Sequence, residues 1–593
     1  MPNKHVKIDQ IGYRPGDAKV ATIQNPQLGY GSDEPYIPGS TIQVRNVRNN
    51  EVVFSGSPVV WNGGATHAFS GDKAWNFDFS SVTRPGTYVL VDTKPGGETS
   101  HPFRIHPKVY HPVLAAALKT YYYQRSSEHL SRRFARRWMM ANSYQQDANA
   151  RLYTTPNSAA SAKDLRGGHF DAGDTNRYAT FAAGYHLLMD SYQAAPTFYA
   201  GFKLSIPESG NSLPDILDIV KYEIDGWVKC QNPDGGVLLK VGVLEPGSGG
   251  VWPMSDDARP RYYAPPATSS TISVAGLFAH FALIMRDLAG YSAYAADLQA
   301  RAVSAFDWYK ARPTKDTNVD PDNVSPRVQA GVADRDADWQ SAAEFVAATY
   351  LLALTGDKTK YNPSIVANYN KTHGFLDYNW GSERSWEANA AHFYTTLASS
   401  LTDSATVTAI NNRYAEVVLN SWGFQIRDND PYRASLNEWD YHWGSNYKVS
   451  SFGAQNYRAI ANGKVSSGDV PTFRARGLAC LNYLHGVNPL GKVFLSNAQA
   501  LGAEEGVGIF YHYQWGRGDY ANGAVMPPPG FLVGGVDQYY AGSEYAAIAA
   551  QPIAKRYAEY PYEDFEKQPW RFTEPSSTGY QPYYLELLTY ACQ

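Results

Sequence analysis

The feature that most constrains this chain is a change of texture near residue 107. Before it, short runs such as HVKID, KVATI, STIQVRNV, EVVFSG and GTYVLVD, rich in Val, Ile, Thr and Tyr, are separated by Gly, Pro and Asn clusters. Runs of this composition and spacing read as the strands of a seven-to-nine-strand sandwich. After it, apolar residues recur at helical spacing. About a dozen amphipathic stretches follow, from VLAAALKTYYYQR at 113 to PYYLELLTYA at 582, joined by long loops full of Gly, Pro, Trp and Tyr. In a chain of 593 residues this helical part is too large for a simple bundle, and paired helices wrapped into a double ring are the economical packing. The expectation is a mainly α chain, with a β-sandwich domain over 1–107 and an all-α domain over 108–593. Long loops gathered at one end would carry the function.

Charge and composition exclude several classes. Lys+Arg 52 against Asp+Glu 56 gives a net charge of −4, which leaves no basic excess for a nucleic acid partner. No apolar stretch reaches the ~18–20 residues of a membrane span. Aromatic residues make up 14% of the chain, with 44 Tyr, 24 Phe and 14 Trp. A Tyr ring offers a flat apolar face and a hydroxyl edge, which suits flat polar rings such as sugars, although large helical folds also pack with Tyr. Cys230, Cys480 and Cys592 are too few and scattered for a disulfide framework or a C-x-x-C metal site, and at most one bridge forms. The start MPNKHVKID has no apolar segment of the secretory type, so no signal peptide is present in this sequence. A cytoplasmic protein and a mature chain whose signal has been replaced by Met are both consistent with that.

The string Gly167-Gly168-His169-Phe170-Asp171-Ala172-Gly173-Asp174 stands before a helix expected to begin at Thr175. Two carboxylates three residues apart on a Gly-rich turn can face one site and share a water. Asp174 also sits where a helix cap belongs, whereas a cap needs only one carboxylate and leaves Asp171 unexplained. The strings IPESGNSLPDILD at 206–218 and QNPDGGV at 231–237 read as a capped helix start and a turn. Asp334, Asp336 and Asp338 alternate as at the start of a calcium loop, but the Gly and Glu such a loop needs are missing. A solvated acidic turn is the plainer reading.

The order of strings is more specific than any one of them. GGHFDAGDTNRY, IPESGNSLPDILD, QNPDGGV, WGSN at 443–446, HGVNPLG at 485–491 and PPPGFLVGG at 527–535 resemble glycoside hydrolase family nine, the inverting endoglucanases of the cellulase type. IDQIGYRPGDAKVA at 8–21 and FSSVTRPGTYVL at 79–90 are similar to the immunoglobulin-like domain that precedes many of these catalytic domains. The resemblance implies an (α/α)6 barrel preceded by a small immunoglobulin-like β-sandwich.

It also implies roles. Asp174 matches the catalytic base and Asp171 the residue that helps hold the water. Glu574, in Trp570-Arg571-Phe572-Thr573-Glu574-Pro575, is taken as the acid over Glu563, Asp564, Glu566 and Glu586. The acid must hold its proton near neutral pH, a rise from ~4.3 to ~6 that burial against Trp570 and Phe572 would supply. The family's His-His-Arg segment is only loosely represented, by Tyr511 to Arg517, which makes His512 and Arg517 candidate substrate contacts. Thr573 replaces the usual Asn before the acid, and Ser576 to Tyr580 replace the usual Asp-Tyr after it. Trp252, Tyr262, Tyr263, Trp443, Trp515 and Trp570 are read as loop aromatics that stack on sugar rings, with Tyr580 a further contact.

The function expected is an endo-β-1,4-glucanase acting on cellulose or a related β-glucan with inversion. Alternatives are a xyloglucan or mixed-linkage glucanase, an exo-β-glucosaminidase with Asp256 or Asp257 favouring the amino sugar, and a glycan-binding protein without turnover. No cofactor is needed for this chemistry. The family often carries structural calcium, but its ligands are not identified in this sequence. A monomer, secreted, periplasmic or on the cell surface, is the expectation. The sandwich, poor in aromatics beyond Tyr13, Tyr30, Tyr36 and Trp61, is read as a buttress for the barrel.

Overall fold

The computed structural model describes residues 4–172, 176–244, 254–320, 327–328, 333–377, 383–420, 424, 430–434, 436–509, 511 and 526–593. The chain divides into two compact units, one of 1–120, 422–575 and 583–593, the other of 121–421 and 576–582.

The first unit begins with nine strands in two sheets. One has the order β1-β3-β7-β6 (Val6–Lys7, Val20–Pro26, Asp72–Asp78, Val59–Val60), with β3 and β7 antiparallel from Val20↔Asp78 to Pro26↔Asp72. The other runs β2-β9-β8-β4-β5 (Gly12–Tyr13, Phe103–Ile105, Gly86–Asp92, Ile42–Asn46, Val52–Gly56). Alternation selects the inner face. Ile42 and Val44 of β4, Tyr88 and Leu90 of β8, and Phe103 and Ile105 of β9 are buried in one core with Ile23, Phe77 and Phe79.

Buried polar contacts lock this sandwich onto the later segments of its unit. The Tyr432 hydroxyl lies 2.7 Å from Gln24 Oε1 and 2.5 Å from Asp72 Oδ2, and Lys555 Nζ lies 2.6 Å from Asp72 Oδ1. The HGVNPLG turn packs on the IDQIGY segment. His485 Nδ1 is 3.2 Å from Asp9 Oδ2, and Gln10 Nε2 donates to Gly491 O at 2.8 Å. Ion pairs closed to water hold only when geometry and further hydrogen bonds compensate desolvation, and the Asp72 carboxylate has both. The same unit contains the antiparallel helices Ser445–Ala461 and Val470–Leu484.

The second unit is built from helices in pairs. Tyr185–Ala194, Thr268–Met285, Ala337–Thr355 and Ser385–Thr396 pack side by side in that order. Each is backed by the next long helix in sequence, namely Asp215–Cys230, Ser292–Lys310, Lys358–Asn368 and Ser404–Asn420. Thr268–Met285 is buried on all sides, as an all-round apolar helix must be. By length and composition it is apolar enough to cross a membrane, and the whole of it is covered by protein. Including His111–Tyr123 and Gln581–Ala591, the described residues hold twelve helices of ten or more residues.

Two expectations are corrected. Arg177–Tyr178 is not the start of a helix but a strand, antiparallel to Lys240–Val241 in a small sheet that also holds Tyr262–Tyr263 and Arg151–Leu152. The helix begins later, after a 3-10 turn at Phe181–Gly184. Asp174, read as a possible helix cap, lies outside the described residues. The acidic alternation is solvated only in part. Asp334 is buried and accepts from the Asp320 N–H (2.6 Å), whereas Asp336 and Asp338 are exposed, Asp336 capping Ala337–Thr355 by accepting from the Trp339 N–H (2.7 Å) and Asp338 pairing with Lys371 at 2.9 Å. All three cysteines are free thiols.

Candidate active site

The candidate residues fall into two sets, one in each unit. In the second unit, the chain reaches Asp171 over Gly167 and Gly168, which press against the helix Asp215–Cys230. A Cβ on Gly226 would lie 2.8 Å from Gly168 N, so this approach is open only to glycine. The next residue is anchored from behind. The His169 N–H donates to Glu223 Oε2 (2.7 Å), and its Nδ1 lies 3.0 Å from that oxygen and 2.8 Å from the Tyr185 hydroxyl. Trp227 Nε1 donates to Glu223 Oε1 at 2.6 Å. Burial pulls the His169 imidazole below its usual pKa even against the Glu223 charge, so the ring is neutral at neutral pH.

Asp171 is then gripped by residues 576–578. The Ser576 hydroxyl donates to Oδ1 (2.8 Å), as do the Thr578 N–H (3.1 Å) and the Thr578 hydroxyl. The Ser577 N–H donates to Asp171 O (2.8 Å) and the Ser577 hydroxyl to Phe170 O (2.9 Å). Three donors on one oxygen suit a carboxylate rather than an acid. The segment is itself fixed, since the Tyr121 hydroxyl donates to Ser577 O (2.6 Å) and a Cβ on Gly184 would fall 2.2 Å from Thr578 O. Ser576 and Thr578 are functional candidates that sequence reasoning missed. Their only signal is that they stand where the family pattern is broken. Behind the loop, Asp147 joins Arg177 (3.3 Å) and Arg261 (2.7 Å), and Arg177 Nη1 donates to Gly167 O.

In the first unit, two of the recognised strings, WGSN and PPPGFLVGG, come together around Glu574. Val533 pairs with Pro575, the Gly534 N–H donates to Glu574 O (3.0 Å) and the Gly535 N–H to Phe572 O (2.9 Å). From WGSN, Asn446 Nδ2 donates to Val533 O (2.9 Å) and Trp443 meets Trp570 edge to face at 5.4 Å. Glu574 caps the short helix Trp570–Thr573 and is half-buried, while Phe572 is fully buried against Tyr540 and Tyr557. Arg571 reaches Asp537 at 2.7 Å and lies over Trp570.

The other strings are structural. In IPESGNSLPDILD, Glu208 makes a two-pronged ion pair with buried Arg125 (2.9 and 3.0 Å), and Asp215 accepts from the Leu204 N–H and the Ser209 hydroxyl. Burial pushes Asp218 up to about 7. In QNPDGGV, Asp234 accepts from Trp308 Nε1 at 2.9 Å. Among the aromatics, Trp443 is 46% exposed and Trp570 and Tyr262 are partly exposed, whereas Tyr580 is buried. Tyr263 is also buried, its hydroxyl committed to Ser161 O at 2.7 Å. Asp257 is buried and chelated by Arg259, whose hydrogen bonds outweigh burial and hold the carboxyl below its usual range. Asp174, Trp252, His512, Trp515 and Arg517 lie outside the described residues. Among the described residues, no group of three or more His, Cys, Asp or Glu side chains is arranged to hold a metal ion, and the 334–338 carboxylates are committed elsewhere.

Residues 110–580 match the profile of glycosyl hydrolase family 9, and residues 1–95 that of the cellulase N-terminal ig-like domain. The chain belongs to glycosyl hydrolase family 9. It is 29% identical over 324 residues to a xyloglucan-specific endo-β-1,4-glucanase of Bacteroides ovatus, covering 53% of this chain and 51% of that protein. It is 26% identical over 582 residues to endoglucanase C of Cellulomonas fimi, covering 92% and 48%. It superposes on the crystal structure of a metagenome-derived family 9 endoglucanase with a TM-score of 0.81 and 25% identity over 99% of each chain. The chain spans about half the length of the curated relatives it matches. This family 9 member therefore has the (α/α)6 barrel and the immunoglobulin-like sandwich expected from its sequence.

Proposed function

We propose that the chain hydrolyses internal β-1,4 linkages of a glucan with inversion of the anomeric centre. The observation that carries this reading is the Asp171 carboxylate, fixed by three donors at the end of the Gly-Gly-His-Phe loop of a family 9 chain. In the reaction, Asp174 takes a proton from a water that Asp171 helps to orient. Glu574 protonates the departing glycosidic oxygen. An inverting hydrolase needs base and acid on opposite faces of the sugar, ~6.5–9.5 Å apart, so that the water fits between the base and the anomeric carbon. His512, Arg517 and the aromatics Trp252, Tyr262, Trp443, Trp515 and Trp570 are assigned to sugar contacts. Trp443 is the best supported of the described ones, exposed beside Trp570.

Domain boundaries near 107 accord with β9 ending at Ile105 and the first long helix starting at His111. A polymer substrate does not enter cells, which supports action outside the cytoplasm, and no cofactor enters the scheme. Xyloglucan is the second substrate reading, favoured by the Bacteroides ovatus relative. The glucosaminidase reading loses Asp257, which Arg259 already neutralises. The test is proton NMR of cellohexaose and xyloglucan digests. New α-anomeric ends from internal cleavage are expected; β-anomeric ends, or no cleavage of either glucan, overturn the proposal.

A further inference from the structure

The chain has a net charge of −4, yet Arg132, Arg133, Arg136 and Arg137 lie within six residues of one another. They belong to the segment 126–144, which leaves the scaffold where Arg125 pairs with His169 and the Ser126 N–H donates to Gly168 O (2.8 Å). It is therefore rooted beside the loop that ends at Asp171. The segment closes through a Leu130–Met140 bridge with hydrogen bonds of 2.9 and 3.0 Å. Its tip is the turn Arg132–Ala135 followed by Arg136–Trp138. All four arginines are exposed, and with Met139 they line an open groove of about 610 Å³.

Among the described residues, none of the four guanidinium groups has a carboxylate partner, unlike Arg125, Arg166, Arg259 or Arg301 on the same unit. Two of them lie over rings instead. Arg133 lies over Phe134 (5.1 Å) and Arg137 over Trp138 (4.6 Å), while those rings meet Tyr122 and Tyr123 beneath. Stacking orients a guanidinium fork without neutralising it. Arg136 is held at φ 54°, a conformation rare outside glycine, so the turn between the two arginine pairs is maintained at a cost.

We propose that this groove binds the carboxylates of an acidic polysaccharide, a glucan or hemicellulose chain carrying uronic acid groups, and makes the enzyme prefer acidic over neutral chains. The planar forks match carboxylates two bonds at a time, whereas a neutral glucan offers nothing to balance four unpaired cations. A sugar polymer is favoured over other polyanions because the segment that carries the groove is rooted beside the Asp171 loop of a glycoside hydrolase and because the chain as a whole is acidic. The inference rests on the glucanase reading above.

The test compares carboxymethyl cellulose with hydroxyethyl cellulose, by affinity electrophoresis for binding and by initial rates for KM. Salt is set at about 0.01 M and about 1 M, where the Debye length falls from about 30 Å to about 3 Å. The expected result is about tenfold tighter binding and lower KM for the carboxymethyl polymer at low salt, abolished at high salt. The same preference should vanish in a variant with Arg132, Arg133, Arg136 and Arg137 all changed to Gln. It should shrink in Arg133→Gln/Arg137→Gln, which guards against misfolding of the larger variant, with thermal unfolding as the check. Equal binding of the two polymers, or a preference that survives the substitutions, overturns the proposal. So does stronger retention by DNA or anionic vesicles than by the acidic glucan. Failure to cleave either polymer would instead count against the glucanase reading, since affinity electrophoresis reads the groove without turnover.

Discussion

Thr578 donates twice to one oxygen of Asp171, through its N–H at 3.1 Å and through its hydroxyl. Ser576 adds a third donor at 2.8 Å. A water-orienting carboxylate is useful only if it does not rotate, and this grip removes its freedom. Thr578→Val keeps the N–H contact and loses the hydroxyl. A hydrogen bond to a charged group is worth about 1.5–3 kcal/mol, so kcat should fall about 10- to 100-fold with KM little changed. Thr578→Ser should restore most of it, and steady-state kinetics on a soluble glucan decides.

Glu574→Gln removes the proposed acid while keeping its shape. Loss of general acid catalysis typically costs about 10²–10⁴ in kcat. The loss should be much smaller on an aryl cellobioside with a good leaving group, which departs without protonation. The alkaline limb of the pH–rate profile should disappear in the same variant. A mutant equally slow on both substrates would remove Glu574 from that role.

Gly226→Ala tests how the loop is held. The new methyl would meet Gly168 N at 2.8 Å and Gly168 Cα at 2.9 Å, and backbone cannot move aside as a flexible side chain does. Overpacking of this kind costs about 1–3 kcal/mol. Thermal unfolding should show that loss, and activity should fall further than stability because the displaced residues lead directly into Asp171.

Glu387 makes stability depend on pH. Burial pushes its carboxyl up to about 7, against the opposing Arg384 charge at 3.1 Å and the His373 N–H. Between about 4.5 and 7 the folded chain keeps this proton while the unfolded chain has lost it, so stability falls as pH rises through that window. The full contribution is about 3 kcal/mol as an upper bound. Glu387→Gln should flatten the slope and raise stability at pH 8, as read by denaturant unfolding at pH 5 and 8. Buried His186, pushed down to about 3, acts with the opposite sign, its contribution being lost as pH falls below about 6.5.

The twofold texture of the chain is legible in the order of its residues because periods of 2 and 3.6 are local properties of side-chain order. Five of the nine strands between Val6 and Ile105 and eleven of the twelve long helices follow from it. The exception, Lys358–Asn368, carries Pro363 in its interior and a mostly polar face, so pattern alone hides it; Asp357 starts it by accepting from the Lys360 N–H at 3.0 Å. Arg177–Tyr178 escapes pattern for the opposite reason, since its apolar spacing continues that of the helix behind it while its pairing partner lies more than sixty residues away.

The family, the order of the motifs and the chemical types at the site depend on residue identity, and the sequence carries them without help. Which strings meet is settled only by folding. HGVNPLG serves the sandwich through Asp9 and Gln10, WGSN and GFLVGG serve the Glu574 segment, and residues 576–578 fix Asp171. Such pairings join residues up to hundreds of positions apart, and their energy lies in burial and hydrogen-bond geometry that no local period records.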